Sequence, residues 1–142
     1  MGMKKIIDNL YLGDRNSAPI DTELRISCAE ELYKGPSGTL FNQTDSVTYI
    51  NFEDYPYSLD KDLILKSLQE IENNIANKKI YVHCMWGINR SASLVFMFMV
   101  RNGYLKGDTY LSAQNEFHKI YPNHSPNPGW KSFLKNNFPY DF

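Results

Sequence analysis

No stretch of this sequence stays apolar for the eighteen or so residues that a membrane-spanning helix needs, so no transmembrane segment is read from it. Charge of one sign is missing too. Fifteen Lys and Arg against 16 Asp and Glu leave a net charge of −1, with no global basic field to draw nucleic acid or an anionic membrane. Repeats and low-complexity tracts are absent, and no signal peptide is read ahead of the first strand. Met1-Gly2 invites myristoylation, but the sixth position, where a hydroxyl is expected, is Ile6. Cysteine is scarce: Cys28 and Cys84 only. What remains is a chain of 142 residues, 42% hydrophobic, expected to form one domain (1–142) around its own core.

Cys84 stands in the most informative stretch, His83-Cys84-Met85-Trp86-Gly87-Ile88-Asn89-Arg90-Ser91. Lys79 to Val82 before it is short, β-branched and aromatic, and reads as a buried strand. Ala92 to Val100 after it is almost wholly apolar and reads as a buried helix. The stretch is therefore a strand-to-helix loop whose successive N–H groups and helix N-terminus converge on one concavity, a nest that binds anions. A nest that holds phosphate also stabilises a thiolate, so Cys84 is expected to titrate below a free thiol and to attack phosphorus. Arg90, six positions on, offers a planar fork for two phosphate oxygens. Ser91 is placed to donate a hydrogen bond to the sulfur as it leaves. Gly87 keeps the turn open where a side chain would block an oxyanion. His83 is expected beneath the loop, orienting it through its ring rather than acting as a base.

The segment resembles the signature of the cysteine-based protein tyrosine phosphatase superfamily, and in particular its small (atypical) dual-specificity phosphatases. Ile6-Ile7-Asp8-Asn9-Leu10-Tyr11-Leu12-Gly13 is similar to the opening of those domains. Ile26-Ser27-Cys28-Ala29-Glu30-Glu31-Leu32 resembles their first central strand and its exit, and Tyr121-Pro122 with Ser125-Pro126-Asn127-Pro128-Gly129-Trp130 resembles their closing loop and last helix. The likeness covers nearly the whole chain in order and is weakest from Lys34 to Ser46. Low-molecular-weight phosphatases also use Cys-x5-Arg but carry it near the N-terminus, whereas Cys84 is mid-chain.

The resemblance implies a proton donor on a loop some thirty residues before the cysteine. Asp54, 30 positions ahead of Cys84 in Asn51-Phe52-Glu53-Asp54-Tyr55-Pro56-Tyr57, fits best, as general acid and then as general base. Glu53 and Asp60 compete, Asp60 also reading as a helix cap. The expected catalytic set is Cys84, Arg90, Asp54 and Ser91. Met85, Trp86, Gly87, Ile88, Asn89 and Arg90 are the expected substrate-binding set, with His83 and Asn127 supporting. No metal or cofactor is expected. A thiolate nucleophile and two cysteines point to a reducing compartment, hence a cytoplasmic protein with the nucleus open to it. Cys28 reads as a small buried strand residue, with a redox role left open.

The fold class expected is α/β: a central, mostly parallel twisted sheet flanked by helices, with the Cys-x5-Arg loop between a central strand and a buried helix. Candidate strands are Lys5–Ile7, Tyr11–Gly13, Leu24–Cys28, Val47–Phe52 and Lys79–His83. Ile64, Leu68, Ile71 and Ile75 at helical spacing predict a helix over Lys61–Asn77. Asp108 is the expected N-cap of a helix to Ile120, with Leu111, Phe117 and Ile120 inward, and Asn127-Pro128 opens the last helix. Gly35-Pro36-Ser37-Gly38 reads as a surface loop.

Arg90 is the sole cation of the loop, where relatives acting on phosphoinositides place extra lysines. The expected substrate is a phosphorylated protein or peptide, with phosphate or vanadate as simple occupants of the loop. Asn89 beside Arg90 resembles relatives that act on RNA 5′ ends, a reading the missing basic patch weighs against. Two further readings stay open: a phosphatase of phosphoinositides, and a pseudophosphatase that binds phosphopeptides without turning them over. Trp86 replaces a small residue usual at its place. It is read either as packing under the loop or as a wall against a substrate ring.

Overall fold

The computed structural model describes residues 2–142. Six strands form one sheet in the order β1-β2-β6-β3-β5-β4. They are β1 (Met3–Ile7), β2 (Leu10–Gly13), β3 (Leu24–Ser27), β4 (Phe41–Gln43), β5 (Val47–Ile50) and β6 (Ile80–His83). The inner strands β2, β6, β3 and β5 run parallel, and β1 and β4 close the edges antiparallel. Val82 faces Leu12 on one side and Ile26 on the other, so β6 is central and all four of its residues are buried. That is why Ile80 to Val82 reads as a continuous apolar run rather than an alternation.

Helix α1 (Lys61–Asn74) buries Ile64, Leu68 and Ile71, and its N-cap Asp60 accepts from the Asp62 N–H. Helix α2 (Arg90–Arg101) is buried from Arg90 to Met99 and packs on β2 and β6 and against α1, α3 and α4. Helix α3 (Tyr110–Ile120) starts one residue later than expected. Thr109, not Asp108, is its N-cap, because Thr109 and Ser112 form a reciprocal capping box. That register turns Leu111 outward, 67% exposed, while Ala113, Gln114 and Phe117 face in. Helix α4 (Pro128–Asn136) buries Trp130, Phe133 and Leu134. Strand β4 was not expected: three residues with two amides carry no legible alternation. Among the described residues no helix is long and apolar enough to cross a membrane.

Parallel strands put their carboxyl ends at one edge of the sheet. The turn after β2, the 3₁₀ turn Glu30–Leu32 after β3, the loop after β5 and the loop after β6 therefore meet there. Backbone bonds tie them together: Cys28 N–H to His83 O (2.8 Å), Glu30 N–H to Phe52 O (3.0 Å) and Arg15 N–H to Met85 O (3.4 Å).

Candidate active site

Residues 84–89 turn from β6 into α2, and Gly87 sits in the left-handed region at φ +72°. A Cβ there would lie 2.6 Å from the carbonyl of Gly13, so the position demands glycine for space as well as dihedral. Tyr121 clamps the turn from outside, its hydroxyl donating to Gly87 O at 2.6 Å. His83 lies beneath, buried and stacked on Tyr81, with Nδ1 3.1 Å from Cys84 O. A carbonyl only accepts, so Nδ1 carries the proton, and burial depresses the imidazole pKa and keeps the ring neutral.

Cys84 is 3% exposed. Burial works against its thiolate, but the Ser91 hydroxyl (Oγ to Sγ 3.1 Å), the N–H groups of Ser91 and Gly87 and the Arg90 charge together outweigh it. The net effect holds the thiol below its ordinary range. Cys28 shows the opposite balance: fully buried without such donors, its thiol is pushed well up.

Arg90 opens α2 and is 2% exposed. A buried guanidinium needs a counter-ion, and Glu31 supplies a bidentate one, Nη1 to Oε1 at 2.5 Å and Nη2 to Oε2 at 3.1 Å. Nη1 also donates to Phe52 O at 3.0 Å. Nη1 thus uses both of its hydrogens and Nη2 one of its two, and Nε, buried, has no hydrogen-bond partner among the described residues. Asp54 Oδ1 lies 3.5 Å from it.

Asp54 reaches this edge from the loop after β5. Trp130 Nε1 donates to Glu53 O (2.9 Å), and Asn127 Nδ2 and Asn89 Nδ2 both donate to Asp54 O (2.9 Å each). Asn89 Nδ2 donates to Asp54 Oδ1 as well, at 2.8 Å. The Asp54 side chain stays 42% exposed above a cavity of about 180 Å³ that contains Cys84, Arg90, Asn89 and Asn127. Tyr55, Trp86 and Ile88 complete its wall, 73%, 70% and 39% exposed. Trp86 therefore stands on the rim and does not pack under the loop.

Seven of the expected residues line this cavity: Cys84, Trp86, Ile88, Asn89, Arg90, Asp54 and Asn127; His83 does not line it and bonds Cys84 O. Ser91 bonds the sulfur from behind, and Gly87 contributes backbone only. Met85 is partly buried against the core and faces away from the cavity. Of the competitors of Asp54, the Glu53 side chain is exposed and does not line the cavity, and Asp60 caps α1. Glu31 was missed by sequence reasoning, although two adjacent carboxylates at the exit of a central strand mark the place. Larger cavities, of about 540, 510, 440 and 270 Å³, lie elsewhere and contain neither Cys84 nor Arg90. Among the described residues no three His, Cys, Asp or Glu cluster to hold a metal.

No family model matches the sequence, and no curated protein does. Solved structures do. DUSP15 superposes with a TM-score of 0.74 over 96% of this chain and 86% of its own, at 23% identity. The human tyrosine phosphatase-like serine/threonine/tyrosine-interacting protein gives 0.71 over 95% and 94% at 20% identity. The chain has the fold of the small dual-specificity phosphatases. The Orf virus tyrosine phosphatase OH1 superposes as well, with a TM-score of 0.70 over 99% of this chain and 88% of its own at 17% identity. At such identities the likeness is one of fold.

Proposed function

We propose that the chain is a protein phosphatase hydrolysing phosphotyrosine and phosphoserine or phosphothreonine through a phosphocysteine intermediate. One observation carries this reading: a buried Arg90 Nε–H without a partner, beside a thiol held below its ordinary range. Buried donors are nearly always satisfied, so an unpaired one facing a small cavity calls for an acceptor there. A phosphate oxygen is an acceptor of the right charge.

Cys84 Sγ attacks phosphorus, forming S–P as the ester P–O bond breaks. Asp54 gives its proton to the leaving oxygen. Arg90 and the N–H groups of the loop stabilise the equatorial oxygens, whose charge they meet best in the transition state. Water then attacks phosphorus with Asp54 as general base, S–P breaks, and Ser91 Oγ–H supports the departing thiolate at 3.1 Å. Glu31 holds the guanidinium plane.

Asn89 supports this reading over action on RNA ends, since its amide is engaged with Asp54 and Asn127. The rim position of Trp86 and the place of Asp54 over the cavity weigh against a pseudophosphatase. The test is phosphate release from matched phosphotyrosine and phosphothreonine peptides. Wild type releases phosphate from both, and Cys84→Ser binds the peptides without turnover. Turnover by Cys84→Ser would overturn the covalent mechanism.

A further inference from the structure

Helices α3 and α4 leave a groove between them, a cavity of about 440 Å³ whose lining also takes in residues 124–126. Its floor is buried, with Gln114 and His124 6% and 3% exposed. Helix α3 supplies Tyr110 and Leu111 to the wall. The capping box of Thr109 and Ser112 fixes that register and leaves Leu111 67% exposed, an apolar side chain with little cover. Gln114 Nε2 lies 3.1 Å from His124 Nδ1, while Gln114 Oε1 has no partner among the described residues. Buried acceptors are seldom left without a donor, and an N–H of an occupant supplies one.

Helix α4 supplies Lys131 and Lys135, four residues apart and so on one face of the helix, away from the buried Trp130, Phe133 and Leu134. Both lysines are exposed, and neither is in an ion pair among the described residues. A neighbouring cavity of about 510 Å³ shares Pro126, Lys131 and Lys135 and carries the groove across α4. No carboxylate lines either cavity. In a chain of net charge −1, this surface is cationic and apolar. It also adjoins the catalytic cavity. Asn127 lines that cavity, Ser125 and Pro126 line the groove, and the Ser125 N–H donates to Ile88 O at 3.0 Å. One stretch of backbone separates the two hollows, so a single substrate segment can occupy both.

We propose that the α3–α4 groove is a docking site for an acidic segment of the phosphorylated substrate. Its carboxylates meet Lys131 and Lys135, and an apolar side chain of the same segment covers Leu111 and Tyr110. The proposal deepens the phosphatase reading and rests on it for the substrate's phosphate. Charge decides the occupant: two unpaired cations with no carboxylate beside them favour a partner of opposite sign. The apolar wall favours a polypeptide over a bare anion.

The experiment measures kcat/KM for a phosphotyrosine peptide bearing a flexible tail of glutamates around one leucine. The same peptide with lysines for the glutamates, the untailed peptide and a small aryl phosphate are the comparisons, and the tail is placed on either side of the phosphotyrosine. Wild type is expected to turn over a glutamate-tailed peptide roughly 5–20-fold better than the untailed one, an advantage that fades as salt rises. Lys131→Glu with Lys135→Glu reverses the preference toward the lysine tail, and Lys131→Gln with Lys135→Gln abolishes it. Leu111→Ala reduces it. These variants handle the untailed peptide and the aryl phosphate as wild type does, which also shows that they fold. A wild type indifferent to the tails, or a glutamate preference that survives charge reversal, overturns the docking site. The phosphatase reading fails separately, by a wild type that releases no phosphate from the aryl ester. Fluorescence anisotropy of the unphosphorylated glutamate-tailed peptide then still tests the groove. Binding that is lost in the charge-reversed protein supports the site, and no binding to wild type overturns it.

Discussion

At the scale of single residues, chemistry here is set by what each buried charge can find. The Cys84 sulfur is buried nearly as deeply as that of Cys28, yet their pKa shifts have opposite signs, because only Cys84 has donors aimed at it. Alkylation by iodoacetamide as a function of pH reads this directly. Cys84 reacts with a midpoint below the ordinary thiol value of about 8.5, and Ser91→Ala, lacking one donor, moves the midpoint up. An unmoved midpoint would remove the hydroxyl from the balance. Glu31 works on Arg90 in the same way. Glu31→Ala leaves the guanidinium free to rotate out of plane, and a rise of about tenfold in the vanadate inhibition constant is expected. Trp86 stands exposed on the wall of the cavity that contains Cys84. Trp86→Ala is expected to lower kcat/KM about 2–10-fold for phosphotyrosine peptides and less for phosphothreonine ones, the worth of one aromatic contact.

Among elements, the loop carrying Asp54 is held by α4 and the turn before it more than by its own strand. Phe52 meets Trp130 edge to face at 5.0 Å, and Trp130 Nε1 bonds Glu53 O. Gly129 lets Pro56 O approach to where a Cβ would stand only 2.2 Å away. Gly129→Ala therefore displaces the 53–57 loop while leaving β6 and α2 untouched. The expected result is a loss of turnover concentrated in poor leaving groups, with vanadate affinity retained; an equal fall in vanadate affinity would show the displacement reaching the phosphate loop. This pinning was only partly legible. Asn127-Pro128-Gly129-Trp130 marked a helix start by its Pro and a core contact by its Trp. That Asn127 spends its side chain on Asp54 O instead of capping α4 depends on a loop 73 residues away.

Over the whole molecule, stability is tied to pH through a buried histidine. His124 sits between Ser93 Oγ (3.0 Å) and Gln114 Nε2 (3.1 Å), 3% exposed. Burial first, and His118 beside it, push its pKa down to about 3 from an ordinary 6.5. Above pH 6.5 the ring is neutral folded or unfolded and contributes no pH dependence. Below that, the unfolded chain takes up a proton that the folded one refuses until about pH 3, so stability falls steadily across the window. Urea denaturation at stepped pH is expected to show a slope from this group approaching about one proton, lost in His124→Gln. His83, also depressed by burial, adds in the same direction.

Local pattern was enough for what local physics decides. The apolar run before Cys84, the apolar segment after Arg90 and the spacing of Ile64, Leu68 and Ile71 specified a strand, a buried helix and an amphipathic one, and with them the loop that joins the first two. Burial and backbone dihedral leave such marks within a few residues. Helix α3 shows where that resolution ends: Asp108 and Thr109 are both good caps, and only the reciprocal bond with Ser112 chose between them. Strand β4, the Glu31 clamp on Arg90 and the Asn89 bridge to Asp54 lie beyond it altogether. Each joins segments that meet only because four parallel strands end at one edge of the sheet or because an edge strand folds back on its neighbour. The sequence by itself determined which groups the proposed chemistry can draw on, since thiol, guanidinium and carboxylate are properties of side chains. The tertiary structure alone decided which of several carboxylates lie beside Arg90 and the cavity, because that placement depends on distances that exist only after the sheet has formed.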